Sequence, residues 1–431
     1  MKKIIFTAIL SGTVLLANGS LTLDDLIQKA IINSPDLNIT KASFDIATQQ
    51  TNEADAAYLP TVDFLGSAGL IGTSGSGVSP TDETGSIISA NLTASQLIYD
   101  FGKTGGNMDA FAADANASNA LYQQSISDKI YAVKEAYYKV LTQQSLIHVQ
   151  EENLALNQKQ LTRSERYFEA GIRTKIDVSD ANVKLIQAKL DLQNVLYDLR
   201  TAYVNLDNVI GSITETTENK VYMPRLDLPN LYKELPEQNT TIDELKSFAF
   251  SHRQELLSKE QTIISAQNRV RSASGNYYPG IYANGNYQYT KLDDSFSTAT
   301  FTPERQWQAT VDLRWNLYEG SRTTAQTQQA EIAVLQNMSL YDAAKLTVRQ
   351  ETENANIYVL KAKDNVKLSE SLASAAKEKF TQAQQRYEHG LSDYIELQEA
   401  RQDYINSLSI LVENFYDYYT ALANLDRVIG K

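Results

Sequence analysis

The 431-residue chain contains no cysteine. Its absence rules out disulfides and an acyl-cysteine anchor. Histidine is almost as scarce, and His148, His252 and His389 lack metal-ligand spacing, so no metal site is expected. Basic residues are outnumbered, 39 against 52 acidic, for a formal charge of -13. That balance argues against nucleic acid and anionic lipid as partners. Long apolar runs are missing beyond residues 1–19, where Lys2 and Lys3, then IIFTAIL and VLLA, then Ala17-Asn-Gly19 have the layout of a cleaved secretory signal. An exported chain without a membrane-spanning helix is periplasmic, secreted, or inserted in an outer membrane as a β-barrel, because only helices and closed barrels satisfy the backbone in lipid. Catalytic signatures are also lacking. Gly102-Lys-Thr104 resembles a phosphate loop, but Leu97 stands where that motif needs its first Gly. Neither order nor spacing suggests a Ser/His/Asp arrangement, and neither catalysis nor a cofactor is expected.

What the chain does have is a repeat. RYFEAGIRTKIDVSDA, from Arg166, returns as RYEHGLSDYIELQEA, from Arg386. Tyr58-Leu-Pro60 returns as Tyr277-Tyr-Pro279, Tyr99-Asp100 as Tyr318-Glu319, Gly171 as Gly390, and Val209-Ile-Gly211 as Val428-Ile-Gly430, all 219 positions apart. Thr22-Leu-Asp-Asp25 and Thr241-Ile-Asp-Glu244 both read as capping boxes that open a helix. The chain is therefore two copies of one unit, 20–211 and 240–431, joined by an irregular, proline-containing linker over 212–239.

Proline is absent between Pro80 and Pro224 and after Pro303, and there the apolar residues run in heptads. Ile126, Val133, Val140, Ile147, Leu154, Leu161 and Phe168 are each seven apart; Val359, Val366, Ala373, Phe380 and Tyr387 keep the same phase in the second copy. Beyond Gly171 and Gly390 the pattern resumes as Val178, Leu185, Leu192, Leu199, Leu206 and as Leu397, Tyr404, Leu411, Tyr418, Leu425. A sustained seven-residue period is that of a coiled coil. The reading is a long helical hairpin in each copy, 103–211 and 321–430, with the Gly as the turn. A helix from Lys103 to Ala170 extends on the order of 100 Å at ~1.5 Å per residue.

Between the helices lie strand hairpins, 58–99 and 277–318. Trp307, Ala309, Val311, Leu313, Trp315 and Leu317 alternate with Gln308, Thr310, Asp312, Arg314 and Asn316, and Ile281, Ala283, Gly285, Tyr287 and Tyr289 alternate with Asn284, Asn286, Gln288 and Thr290. Ile88, Ala90, Leu92 and Ala94 alternate likewise, and residues 59–72 form the fourth, least regular strand. One apolar and one polar face are what a membrane barrel needs, with Trp307 and Trp315 as the aromatic girdles. A soluble β-sandwich reads the same alternation as a core. Four strands cannot close a barrel, since the smallest have about eight, so a membrane reading demands oligomers; closure alone does not choose between dimer and trimer.

This ordered set resembles the TolC-like outer membrane efflux protein (outer membrane factor) family over essentially the whole chain. The resemblance rests on the twofold repeat, on the Tyr-Leu-Pro and Tyr-Asp/Glu junctions, and on Arg-Tyr-x(2-3)-Gly followed by acids six and nine residues after the Gly. It implies a mixed, mainly α fold: a long coiled-coil α-helical barrel, with four β-strands per protomer contributing to a twelve-stranded trimeric outer-membrane β-barrel. It further implies a homotrimer in outer-membrane lipid, reaching into the periplasm with 212–239 as its equatorial region. Such a trimer is a passive exit duct for tripartite efflux or type I secretion, opened by a periplasmic adaptor (membrane fusion protein) and an inner-membrane pump. By the same resemblance Gly171, Ile172, Gly390 and Leu391 are the adaptor-docking tips, and Asp177, Tyr387, Glu396 and Glu399 form the periplasmic gate: carboxylate rings from Glu396 and Glu399, and a Tyr387-to-Asp177 hydrogen bond between hairpins. Ser392 departs from the pattern, since better-known members carry an Arg there that reinforces the lock. The competing reading is a non-channel structural or adhesive coiled-coil surface protein with a small β head.

Overall fold

A computed structural model describes residues 21–73, 83–172, 174–213, 216–218, 220–221, 226, 231–238, 240–292 and 304–431. The expected signal segment, the loop within each strand pair and much of the 212–239 linker lie outside them. In chain order the elements are α1 (Leu23–Asn33), α2 (Pro35–Asp55), β1 (Thr61–Thr73), β2 (Glu83–Tyr99), α3 (Lys103–Glu169), α4 (Lys175–Val209), α5 (Ile242–His252), α6 (Gln254–Gly275), β3 (Gly280–Leu292), β4 (Arg305–Arg314), α7 (Arg322–Glu388) and α8 (Tyr394–Ile429). The repeat is structural: α3 and α7 have 67 residues each, and α1 and α5 have 11. Both capping boxes form, Thr22 N donating to Asp25 at 3.0 Å and Thr241 N to Glu244 at 2.9 Å.

The chain divides into two units. The first holds α1, α4, α5, α8, the described residues of the linker and residues 125–169 and 348–388 of the long helices. Its seams follow the heptads over most of their length: Val133, Val140, Val359, Val366, Leu206, Leu411 and Tyr418 are all at most 1 % exposed, and each such burial is worth about 1.5–3 kcal/mol. Along α3 the expected stripe is not kept. Ile147, Leu154 and Leu161 are half-buried and Phe168 is exposed, while Val149, Asn153, Asn157, Gln160 and Ser164 take the buried positions. An α-helix turns about 20° per heptad away from a strict 3.5-residue repeat, so over this length the buried face leaves the stripe. The linker is tied to this unit by Tyr418, whose hydroxyl donates to the Pro236 carbonyl at 2.6 Å, and by the Tyr232 N–H to Glu370 at 3.1 Å.

The second unit holds the strands with α2, α6 and the strand-proximal ends of α3 and α7. The strands form one antiparallel sheet in the order β1-β2-β3-β4. The register aligns the apolar residues of all four: Phe64, Leu92, Tyr287 and Trp307 make one row, and Val62, Ala94, Gly285 and Ala309 another. On the other face Ser95 donates to Asn284 at 2.7 Å and Asn284 to Asp312 at 2.5 Å. The sequence alternation continues through Leu317, but β4 ends at Arg314. Trp315 lies past the strand, where its indole N–H donates to the Tyr277 carbonyl at 3.2 Å, and the Asn316 side chain donates to Glu319 at 2.7 Å just before α7. Of the expected girdle pair, therefore, Trp307 is on a strand and Trp315 is not.

The strand-to-helix junctions are built alike. Asp100 Oδ2 accepts from the Thr104 N–H at 2.8 Å, and Glu319 accepts from Arg322 at 2.7 Å. Each is followed by two residues with positive φ, Phe101 and Gly102 in one copy, Gly320 and Ser321 in the other. Nearby, Gly106 of α3 lets α6 approach closely: a Cβ there would meet Ser272 N at 2.7 Å and Asn268 O at 2.8 Å.

Candidate functional site

The turns of both long hairpins have the same geometry. Gly171 (φ 70°) and Gly390 (φ 69°) sit in the left-handed region. Gly171 N donates to the Phe168 carbonyl and Ile172 N to that of Tyr167; Gly390 N donates to Tyr387 and Leu391 N to Arg386. This is the Schellman closure, in which the residue after the Gly ordinarily packs back on its helix. Here Ile172 and Leu391 are instead 67 % and 70 % exposed.

The expected gate residues occupy the first turns beyond those glycines. Asp177 closes a capping box on α4, accepting from Thr174 N at 2.9 Å and from its hydroxyl at 3.0 Å. Tyr387, 2 % exposed, lies in a cluster with Ala181 of α4, Ala383 of α7 and Tyr394, Leu397 and Ala400 of α8, so three helices meet around its ring. Its hydroxyl accepts from Gln160 of α3 at 3.4 Å. Glu396 forms an ion pair with Arg386 across the turn at 3.4 Å, whereas Glu399 is exposed. Lys379 faces these acids: its bond to Asp403, at 2.6 Å, raises its pKa first, and the charges of Glu399 and Glu396 add to that. The two hairpins are joined by Arg163 to Glu388 at 2.9 Å, a pair that holds the Glu388 carboxyl below its usual range after the contribution of Gln384. Among the described residues no group of His, Cys, Asp or Glu could hold a metal ion.

Three contributors are not evident from the motif alone. Gln160, Tyr394 and Arg401 are buried around the same cluster. Arg401 could have been found, because it lies four residues after Leu397 and three before Tyr404, on the flank of the apolar stripe.

A twofold repeat of strand pair and long helical hairpin, whose strands make one sheet with an apolar and a polar face, defines a class, the outer-membrane channel. Among the described residues no helix is long and apolar enough to cross a membrane. The chain belongs to the outer membrane efflux protein family, which it matches over residues 26–212 and 246–431. It is 24 % identical to the outer membrane protein TolC of Vibrio cholerae over 438 aligned positions, covering all of this chain and 96 % of that protein. To the outer membrane efflux protein BepC of Brucella suis it is 22 % identical, covering all of this chain and 90 % of BepC. Its fold is that of the Campylobacter jejuni CmeC outer membrane channel, with a TM-score of 0.78 at 16 % identity, over 95 % of this chain and 85 % of CmeC.

Proposed function

We propose that the protein is a homotrimeric exit duct that carries cargo passively through the outer membrane for tripartite efflux or type I secretion, and that a periplasmic adaptor and an inner-membrane pump open it. The observation that carries this reading is the sheet. Its apolar rows run unbroken across four strands, and β1 and β4 each have a neighbour on one side only. An apolar sheet with free edges is unstable in lipid until further copies close it. An exposed seven-residue stripe supports association of copies through the helices too, since Ile176, Val183, Leu190, Tyr197 and Val204 of α4 are all more than half exposed. The exposed Ile172 and Leu391 suit an adaptor tip, and Asp177, Tyr387, Glu396 and Glu399 suit a gate at the periplasmic mouth.

The test is made on trimers reconstituted in a planar bilayer. Tyr387→Phe with Asp177→Ala raises single-channel conductance, and Glu396→Gln with Glu399→Gln weakens block by divalent or trivalent cations. Unchanged conductance together with unchanged block reduces these residues to helix capping and rejects the gate.

A further inference from the structure

One side chain near the turns is at odds with its surroundings. Arg401 of α8 is 4 % exposed, joins no ion pair among the described residues, and has no partner for Nη2. A buried guanidinium without a carboxylate is costly, and an apolar side chain of similar volume would usually be favoured in its place. The groups just before it are equally unsettled: Ser392 Oγ and Gln398 Nε2 are buried without hydrogen-bond partners, and Tyr394 Oη has Arg401 as its polar neighbour. Tyr394 stands two turns earlier on the same helix face, 8 % exposed, its ring 6.2 Å from that of Tyr387. Across from it on α4 is Asp180. Asp180, Lys184, Tyr394, Gln398, Glu399 and Gln402 line one cleft of about 370 Å³. Tyr394 is the group that links the other two. Burial raises the Tyr394 pKa while the charge of Arg401 and its hydrogen bond oppose, and Tyr387 and then Asp180 add to the rise; burial lowers the pKa of Arg401 while Tyr394 opposes.

We propose that Arg401 is a positioning residue of a second closure between the two hairpins, acting through Tyr394 on Asp180. The Tyr394 oxygen accepts from Arg401, and its proton is then aimed at the Asp180 carboxylate when the cleft narrows. The three side chains together balance one positive and one negative charge, so the closed arrangement compensates the guanidinium that the open cleft leaves unpaired. This inference rests on the gate reading and deepens it. It places a cation behind the gate, nine residues beyond Ser392.

The experiment compares trimers in planar bilayers with their melting temperature. Arg401→Met, Tyr394→Phe and Asp180→Asn each raise the open fraction by about fivefold or more, the lower range of coupling between distinct sites. Arg401→Met combined with Asp180→Asn raises it no further than either alone, Arg401→Lys restores closure in part, and Arg401→Met trimers melt no lower than the parent. An additive double variant overturns the proposal, as does an Arg401→Met trimer that melts lower with conductance unchanged. Tyr387→Phe with Asp177→Ala serves as the separate arm: if that variant opens the channel and Arg401→Met does not, the gate stands and the second closure falls. If neither opens it, both fall.

Discussion

Glycine does two different jobs in this chain, and substitution by alanine separates them. At Gly390 nothing lies within 4 Å of where a Cβ would be, so the cost of Gly390→Ala is confined to its φ of 69°; about 1–2 kcal/mol is expected. At Gly106 alanine would gain helix propensity, yet its Cβ would stand 2.7 Å from Ser272 N, backbone that cannot swing aside. Gly106→Ala is expected to destabilise more than Gly390→Ala, read as the larger fall in melting temperature; the reverse order would mean that α3 and α6 separate easily. Gly390 was legible in the sequence because a Gly between two periodic stretches is a recognised stop. Gly106 was not, because a close approach between helices 166 positions apart, at Ser272, leaves no local mark. Asp177 and Tyr387 were legible only through the resemblance of the turn motif to the family, and Arg401 through its place on the flank of the apolar stripe, whereas Gln160 of α3 leaves no such mark and shows only where its side chain meets Tyr387.

At the level of elements, β4 offers the sharpest contrast. Val311 stands on the apolar face and is 74 % exposed; Thr310 points to the polar one. With the apolar face in lipid, Val311→Arg should cost about 2–4 kcal/mol of barrel stability and Thr310→Arg little. Denaturant titration in detergent checks this, and equal tolerance would reverse the orientation. Among the helices, burial pushes the Tyr138 and Tyr416 hydroxyls from 10.0 up to about 12. Since the folded pKa lies above the unfolded one, the stability they contribute is whole below pH 10 and is lost as pH rises through about 12. Helical circular dichroism should therefore collapse across that window, and Tyr138→Phe with Tyr416→Phe should move the collapse upward; an unmoved midpoint would assign it to other groups. The helices themselves were plain from proline's absence and the heptads. In α3 their phase was plain only near Val133 and Val140, since a repeat counted along the sequence takes no account of how a straight helix turns.

For the whole molecule, the two copies could be read from the 219-residue spacing, and four alternating strands could be read as one sheet. What no single copy disclosed is that β2 of the first pairs with β3 of the second. That junction has a consequence for the seam between chains. If the hairpins are arranged around a common axis as near-equivalents, the joint between β4 and the next chain's β1 must imitate the joint between β2 and β3. Leu92 faces Tyr287 within the chain; moving each by the 219-residue repeat sets Val311 against Ala68 of the next, and Ala90 facing Tyr289 likewise sets Ala309 against Leu70. All four fall on the apolar face, as the pleat requires. Directly opposed residues in antiparallel strands stand about 4.5–5.5 Å apart between Cα atoms, within reach of a disulfide. Val311→Cys with Ala68→Cys should thus oxidise to covalent trimers on a denaturing gel, whereas Val311→Cys with Gly69→Cys, on the opposite face, should not. Because the parent has no thiol of its own to remove, each engineered pair reports the register unaided, and bridging by the Gly69 pair alone would show that the rotational equivalence of the hairpins is broken where chains meet.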